Sequence, residues 1–171
     1  MNSEIKIGIF DSGAGGINIG NAIYDDIPNV SVIYCCDNLN YPYGDKTPKC
    51  LLEVALKSIE VFLKTEKIDI LVIACNTAST LILPELRQRY SIPIVGVVPA
   101  IKPASSLSKT KIIGLLATPA TINRPYIDDL ILKFALDCQI IKVGSSILVD
   151  FAEQKLRGEY ISLIIIREEI N

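Results

Sequence analysis

Apolar residues in this chain gather in short unbroken runs: KIGIF at 6–10, VSVIYC at 30–35, DILVIA at 69–74, IPIVGVV at 92–98, KIIGLLA at 111–117 and QIIKV at 139–143. Unbroken runs rich in Ile and Val mark strands buried on both faces, as in a parallel sheet covered by helices. Between them lie longer amphipathic stretches that predict helices from about Ile17, over Pro48 to Lys64, Ala78 to Tyr90, Arg124 to Leu136 and Ser146 to Leu156, with a last helix in EYISLIIIREEIN. The alternation predicts an α/β protein with doubly wound, mainly parallel sheets.

The segment PAIKPASSLS at 99–108 punctuates the series and reads as a crossing between two lobes, 1–98 and 99–171. The lobes start alike: KIGIFDSGAGG and KIIGLLATPAT each pass from a lysine through an apolar run into a small hydroxyl-bearing loop and a helix. This predicts pseudo-symmetry with an incomplete second lobe, because the counterpart of Cys75 would fall near residue 182, beyond the 171 of the chain. A lobe lacking its last strand exposes apolar sheet edge, so self-association or poor solubility is expected.

With 17 basic and 19 acidic side chains and a net charge of -2, nothing suggests a nucleic-acid-binding face. No apolar run reaches the roughly 18 residues of a membrane span. Glu4 and Lys6 interrupt the first apolar stretch, unlike a signal peptide, so a cytoplasmic location is expected. Five cysteines (35, 36, 50, 75, 138) without paired spacing, and no histidine at all, argue against disulfides and against a metal site. A general base must therefore be something other than imidazole.

In open α/β sheets, ligands bind at the carboxyl ends of the strands. Three polar clusters fall there: Asp11 to Gly13, Cys75 to Thr77, and Thr118 to Thr121; the loop YPYGDK at 41–46 follows the second strand. Cys75 ends an apolar run at the start of a helix, where the macrodipole and free amides lower a thiol pKa, so it can serve as nucleophile or base. The plainer reading is a small core residue. Asp11 either caps the next helix or tunes Cys75. Ser12, Asn76, Thr77, Thr118 and Thr121 offer neutral donors to a carboxylate or serve as caps, and for Thr121 the cap is favoured. GAGG does not match the dinucleotide-binding spacing. Cys35 and Cys36 read as strand packing, Cys50 and Cys138 have no assigned role, and Glu153, Lys155 and Arg157 read as a solvated helix face.

In combination IGIFDSGAGG, DNLNYPYGDK, ACNTAST, VGVVPAIKPA and ATPAT, in this order, resemble the glutamate racemases of the cofactor-independent aspartate/glutamate racemase family. VGSSILVDFAEQKLRGE resembles the subgroup from Gram-negative enteric-type bacteria. The resemblance implies two lobes with glutamate between them, neither cofactor nor metal, and interconversion of L- and D-glutamate for peptidoglycan. It implies Cys75 as one of two acid/base cysteines, assisted by Asp11. Substrate contacts would come from Asp11, Ser12, Tyr43, Gly44, Asn76, Thr77, Thr118 and Thr121. The family's second motif, Cys-Thr-His, is absent from this sequence. Inversion needs two groups on opposite faces of the α-carbon, so the expectations are a one-base chain that exchanges without inverting, a non-catalytic glutamate-binding or regulatory remnant, or an assembly completed by a second chain.

Overall fold

The structure, a computed structural model, describes residues 4–170. Two compact units divide between Val97 and Val98. In the first, β1 (Ile5–Asp11), α1 (Gly16–Asp26), β2 (Val30–Cys36), α2 (Pro48–Thr65), β3 (Ile70–Ile73), α3 (Asn76–Arg89) and β4 (Ile94–Gly96) follow in order, with short 3-10 turns at Asn38–Asn40 and Tyr43–Asp45. All pairings are parallel and the strand order is β2-β1-β3-β4. The register runs from Ile5 opposite Val30 to Asp11 opposite Cys36, and from Ile7 opposite Ile70 to Phe10 opposite Ile73.

Side chains alternate across this sheet, and both faces are covered. Phe10, Leu71 and Ile73 pack with Leu51, Ala55, Ile59 and Phe62 of α2 and with Ile82, Leu83 and Leu86 of α3. Ile7, Ile9, Val30, Val72 and Ala74 face the other way, toward Ile19 and Ile23 of α1. The apolar positions of α2 recur at helical spacing; Thr47 accepts the amide of Cys50 at 3.3 Å and Pro48 opens the helix, both favourable at an N-terminus. At Gly16 a Cβ would lie 2.9 Å from the Tyr34 ring, 3.0 Å from the Asp11 Cβ and 3.1 Å from the Ala74 Cβ, so only glycine lets α1 seat on the strand ends.

The second unit contains α4 (Ile101–Leu107), β5 (Ile112–Ala117), α5 (Pro119–Ile122), α6 (Pro125–Phe134), β6 (Gln139–Gly144), α7 (Ile147–Leu156) and α8 (Leu163–Ile170). Its sheet has two parallel strands, Ile112 opposite Gln139 through Ala117 opposite Gly144. One face is covered: Leu115 and Ile140 pack with Ile101, Tyr126, Ile127, Leu130 and Ile131. The other face carries Ile112, Leu116 and Ile141, each about half exposed, and a Cβ at Gly114 would meet nothing within 4 Å.

The segment read as a crossing is structured. Its residues IKPASSL form α4, with Ile101 buried and the Ser105 hydroxyl donating to the Phe134 carbonyl at 2.6 Å. Pro103 lies in the first turn, where a missing N–H breaks no helical hydrogen bond. Among the described residues no helix is long and apolar enough to cross a membrane.

Candidate active site

Parallel strands bring the loops after β1, β2 and β3 to one rim of the first sheet. Beyond the last register pair, the Ala74 amide still donates to the Phe10 carbonyl at 2.8 Å and the Asp37 amide to the Asp11 carbonyl at 2.9 Å. These bonds align the three loops, placing the Ser12 hydroxyl 3.5 Å from the Cys75 sulfur.

Asp11 and Cys75 approach from opposite sides of the sheet. The Asp11 carboxylate turns to the α1 face, accepting the amides of Ser12 and Gly16 at 2.7 Å each. Asp11 thus anchors the first turn of α1, and its charge also acts on Cys75. Two donors from β2 hold the intervening loop: the Tyr34 hydroxyl and, at 3.2 Å, the Cys36 thiol both donate to the Gly13 carbonyl.

Cys75 is the N-cap of α3, 7% exposed, and packs within the core cluster of the α2/α3 face. The thiol pKa expected to be low is instead pushed up to about 11, chiefly by burial and secondly by the Asp11 charge. Hydrogen bonds from the Ser12 side chain and from the Ala78 and Ser12 amides pull the other way and are outweighed. The helix N-terminus does favour the thiolate, but loss of hydration at a nearly closed site is the larger effect.

Of the other predicted residues, Asn76 is exposed at the start of α3, whereas Thr77 is buried and its carbonyl accepts the Thr80 hydroxyl at 3.1 Å. Thr77 therefore does belong to the packed start of the helix. Tyr43 is 1% exposed, its ring 6.4 Å from that of Phe10, and its hydroxyl donates to Asp37 at 2.6 Å. The phenol is thus engaged inside the protein, and the turn continues through half-buried Gly44. Thr118 and Thr121 belong to the second unit. Thr118 caps α5, accepting the Thr121 amide at 3.2 Å and sharing a hydroxyl–hydroxyl hydrogen bond of 2.9 Å with fully buried Thr121.

Asp37, which the sequence reading passed over, is buried at the same rim, one residue beyond β2. A signal was present, since Asp37 follows an apolar strand as Asp11 does. Among the described residues no group of three His, Cys, Asp or Glu side chains is arranged to hold a metal ion.

A family model described as Asp/Glu/Hydantoin racemase matches residues 18–158. The chain is 47% identical over 163 residues to a glutamate racemase of Pectobacterium atrosepticum, covering 95% of this chain and 57% of that protein. It is 46% identical over 162 residues to a glutamate racemase of Histophilus somni, covering 95% of this chain and 61% of that one. Among solved structures, the Escherichia coli glutamate racemase in complex with L-glutamate and the activator UDP-MurNAc-ala superposes with a TM-score of 0.92 at 41% identity, over 98% of this chain and 63% of that chain. The glutamate racemase of Francisella tularensis in complex with D-glutamate gives 0.75 at 29% identity, over 89% and 57%. The chain thus spans little more than half the length of the curated relatives it matches. With the fold, the rim of polar loops and these likenesses in agreement, the chain belongs to the Asp/Glu/Hydantoin racemase family.

Proposed function

We propose that this chain carries one acid/base half of a glutamate racemase active site, with Cys75 transferring the α-proton of glutamate and Asp11 as its electrostatic neighbour. The observation that carries the reading is the 3.5 Å contact between Ser12 and Cys75 at the carboxyl ends of β1 and β3, with the Asp11 charge acting on the thiol. Relatives with the same fold hold L- or D-glutamate in their crystal structures. Asp11, Ser12, Asn76, Thr77 and the turn at Tyr43 and Gly44 are assigned to substrate contact in the first unit. The reaction needs neither metal nor organic cofactor, and its D-glutamate would serve peptidoglycan synthesis in a bacterial cytoplasm.

The chemistry follows from the thiol. Pushed up to about 11, Cys75 is protonated at neutral pH and is fit to donate a proton to a substrate carbanion. To act as the base it must first lose its own proton. The α-ammonium of a bound amino acid, set beside it, would oppose the Asp11 charge and favour the thiolate. Inversion requires a second group on the far side of the α-carbon, and this sequence contains no Cys-Thr-His stretch. The expected activity of this chain is exchange at one face without inversion. The open face of Ile112, Leu116 and Ile141 supports self-association, which light scattering tests: a clean monomer contradicts it.

The raised thiol pKa also favours a second reading, a protein that binds glutamate without turning it over. Incubation of each enantiomer in heavy water, following deuterium uptake and chirality, separates the two. Uptake from one enantiomer with its configuration retained supports the one-base reading, and the Cys75→Ala variant should abolish it. Appearance of the opposite enantiomer overturns that reading, and absence of uptake from both leaves binding alone.

A further inference from the structure

Asp37 is the N-cap of the turn Asn38–Asn40, yet its side chain makes no capping hydrogen bond to that turn. Its buried carboxyl group instead gathers side chains from three elements. The Tyr43 hydroxyl donates to Oδ2 at 2.6 Å, the Ser58 hydroxyl of α2 donates to the same oxygen at 3.0 Å, and Asn40 Nδ2 reaches Oδ1 at 2.9 Å and Oδ2 at 3.0 Å. Its amide meanwhile donates to the Asp11 carbonyl at 2.9 Å, tying the cluster to the strand end that carries the acid.

A carboxylate satisfied by side chains of separate elements fixes those elements relative to one another, because its burial penalises every arrangement that leaves an oxygen unpaired. We infer that Asp37 is a positioning residue, a buried latch that clamps loop 41–46 through Tyr43 to α2 through Ser58 and so presets the backbone at Tyr43 and Gly44 that meets the substrate. Its consequence for ligand binding rests on the proposed glutamate site; the latch itself does not. Phe10 against the Tyr43 ring supplies packing, while the hydroxyl supplies the orientation.

The test uses the full chain and the variants Asp37→Asn, Tyr43→Phe and Ser58→Ala. Backbone hydrogen exchange of 41–46, read by mass spectrometry without ligand, should quicken at least about tenfold in Asp37→Asn and Tyr43→Phe, the equivalent of one hydrogen bond to a charged group, and less in Ser58→Ala. Amides of α3 should keep their rates. Calorimetric affinity for D-glutamate should fall in the same order of variants. Unchanged exchange at 41–46 overturns the inference, as does equal quickening in α3, which would mark general destabilisation. A loosened loop with unchanged affinity overturns the positioning role. Should Asp37→Asn fail to fold, Tyr43→Phe and Ser58→Ala decide the matter by the same criteria. If the unaltered chain binds no glutamate, the proposed function fails while the exchange data still judge the latch.

Discussion

Ser12 and Cys75 meet at 3.5 Å although 63 positions separate them in the chain, because β1 and β3 lie side by side and both end at the same rim. This contact is the principal side-chain hydrogen bond favouring the thiolate against burial and the Asp11 charge. Removing it should move the thiol further from reactivity. In Ser12→Ala, the Cys75 titration, isolated by subtracting a Cys75→Ala spectrum at the thiolate absorbance, is expected above the value of about 11, and alkylation at fixed pH should slow.

Asp11→Asn should act in the opposite direction. The Asp11 charge is the second cause of the raised thiol pKa, and asparagine keeps one acceptor oxygen for the Gly16 amide of α1 while losing that charge. The same difference titration should come down, and alkylation should quicken. A value that rises instead would mean that the α1 anchor, not the charge, governs the thiol.

Alkaline stability carries the same signature. The thiol of Cys75 lies at an ordinary 9.0 in the unfolded chain and about 11 when folded, so the folded state holds this proton more tightly. The resulting stabilisation is fully present below pH 9.0 and is lost as pH rises toward about 11, amounting to about 2 to 3 kcal/mol. Tyr43, raised by burial and by its hydrogen bond to Asp37, adds a loss of the same sign above its ordinary 10.0. Urea denaturation across this range should show a falling midpoint, shallower in Cys75→Ala.

Packing around the rim predicts where bulk is refused. Gly16→Ala must displace the Tyr34 ring or the Asp11 and Ala74 side chains, each about 3 Å from the new methyl, and overpacking of this kind destabilises by about 1 to 3 kcal/mol. Denaturation midpoints measure it. Ile59→Ala, beneath the sheet and fully buried, should cost about 2 to 5 kcal/mol without altering the Cys75 titration.

The sequence disclosed the first unit well because its strands are unbroken apolar runs and its helices have regular stripes and caps, as in α2 with Thr47 and Pro48. That Asp11, Ser12 and Cys75 come to one rim was legible for a topological reason: each ends or follows a parallel strand. The direction of the Cys75 pKa was not, since helix position shows in sequence while the depth of burial depends on Phe10, Tyr43 and α2 closing around it. Asp37 escaped notice because its partners Tyr43 and Ser58 come from elements that only the fold brings together. In α4, prolines suggested a break where Ile101 and Ser105 in fact find partners.

The uniform direction of β1 to β4 divides the first unit between two rims. Every loop with candidate chemistry leaves from the carboxyl rim, whereas the turns at 27–29, 66–69 and 90–93 enter strands from the amino rim. Labels, inserted peptides or fusion partners grafted into those three turns have the length of the strands between them and the thiol, which makes that rim the natural handle by which to immobilise or extend the protein.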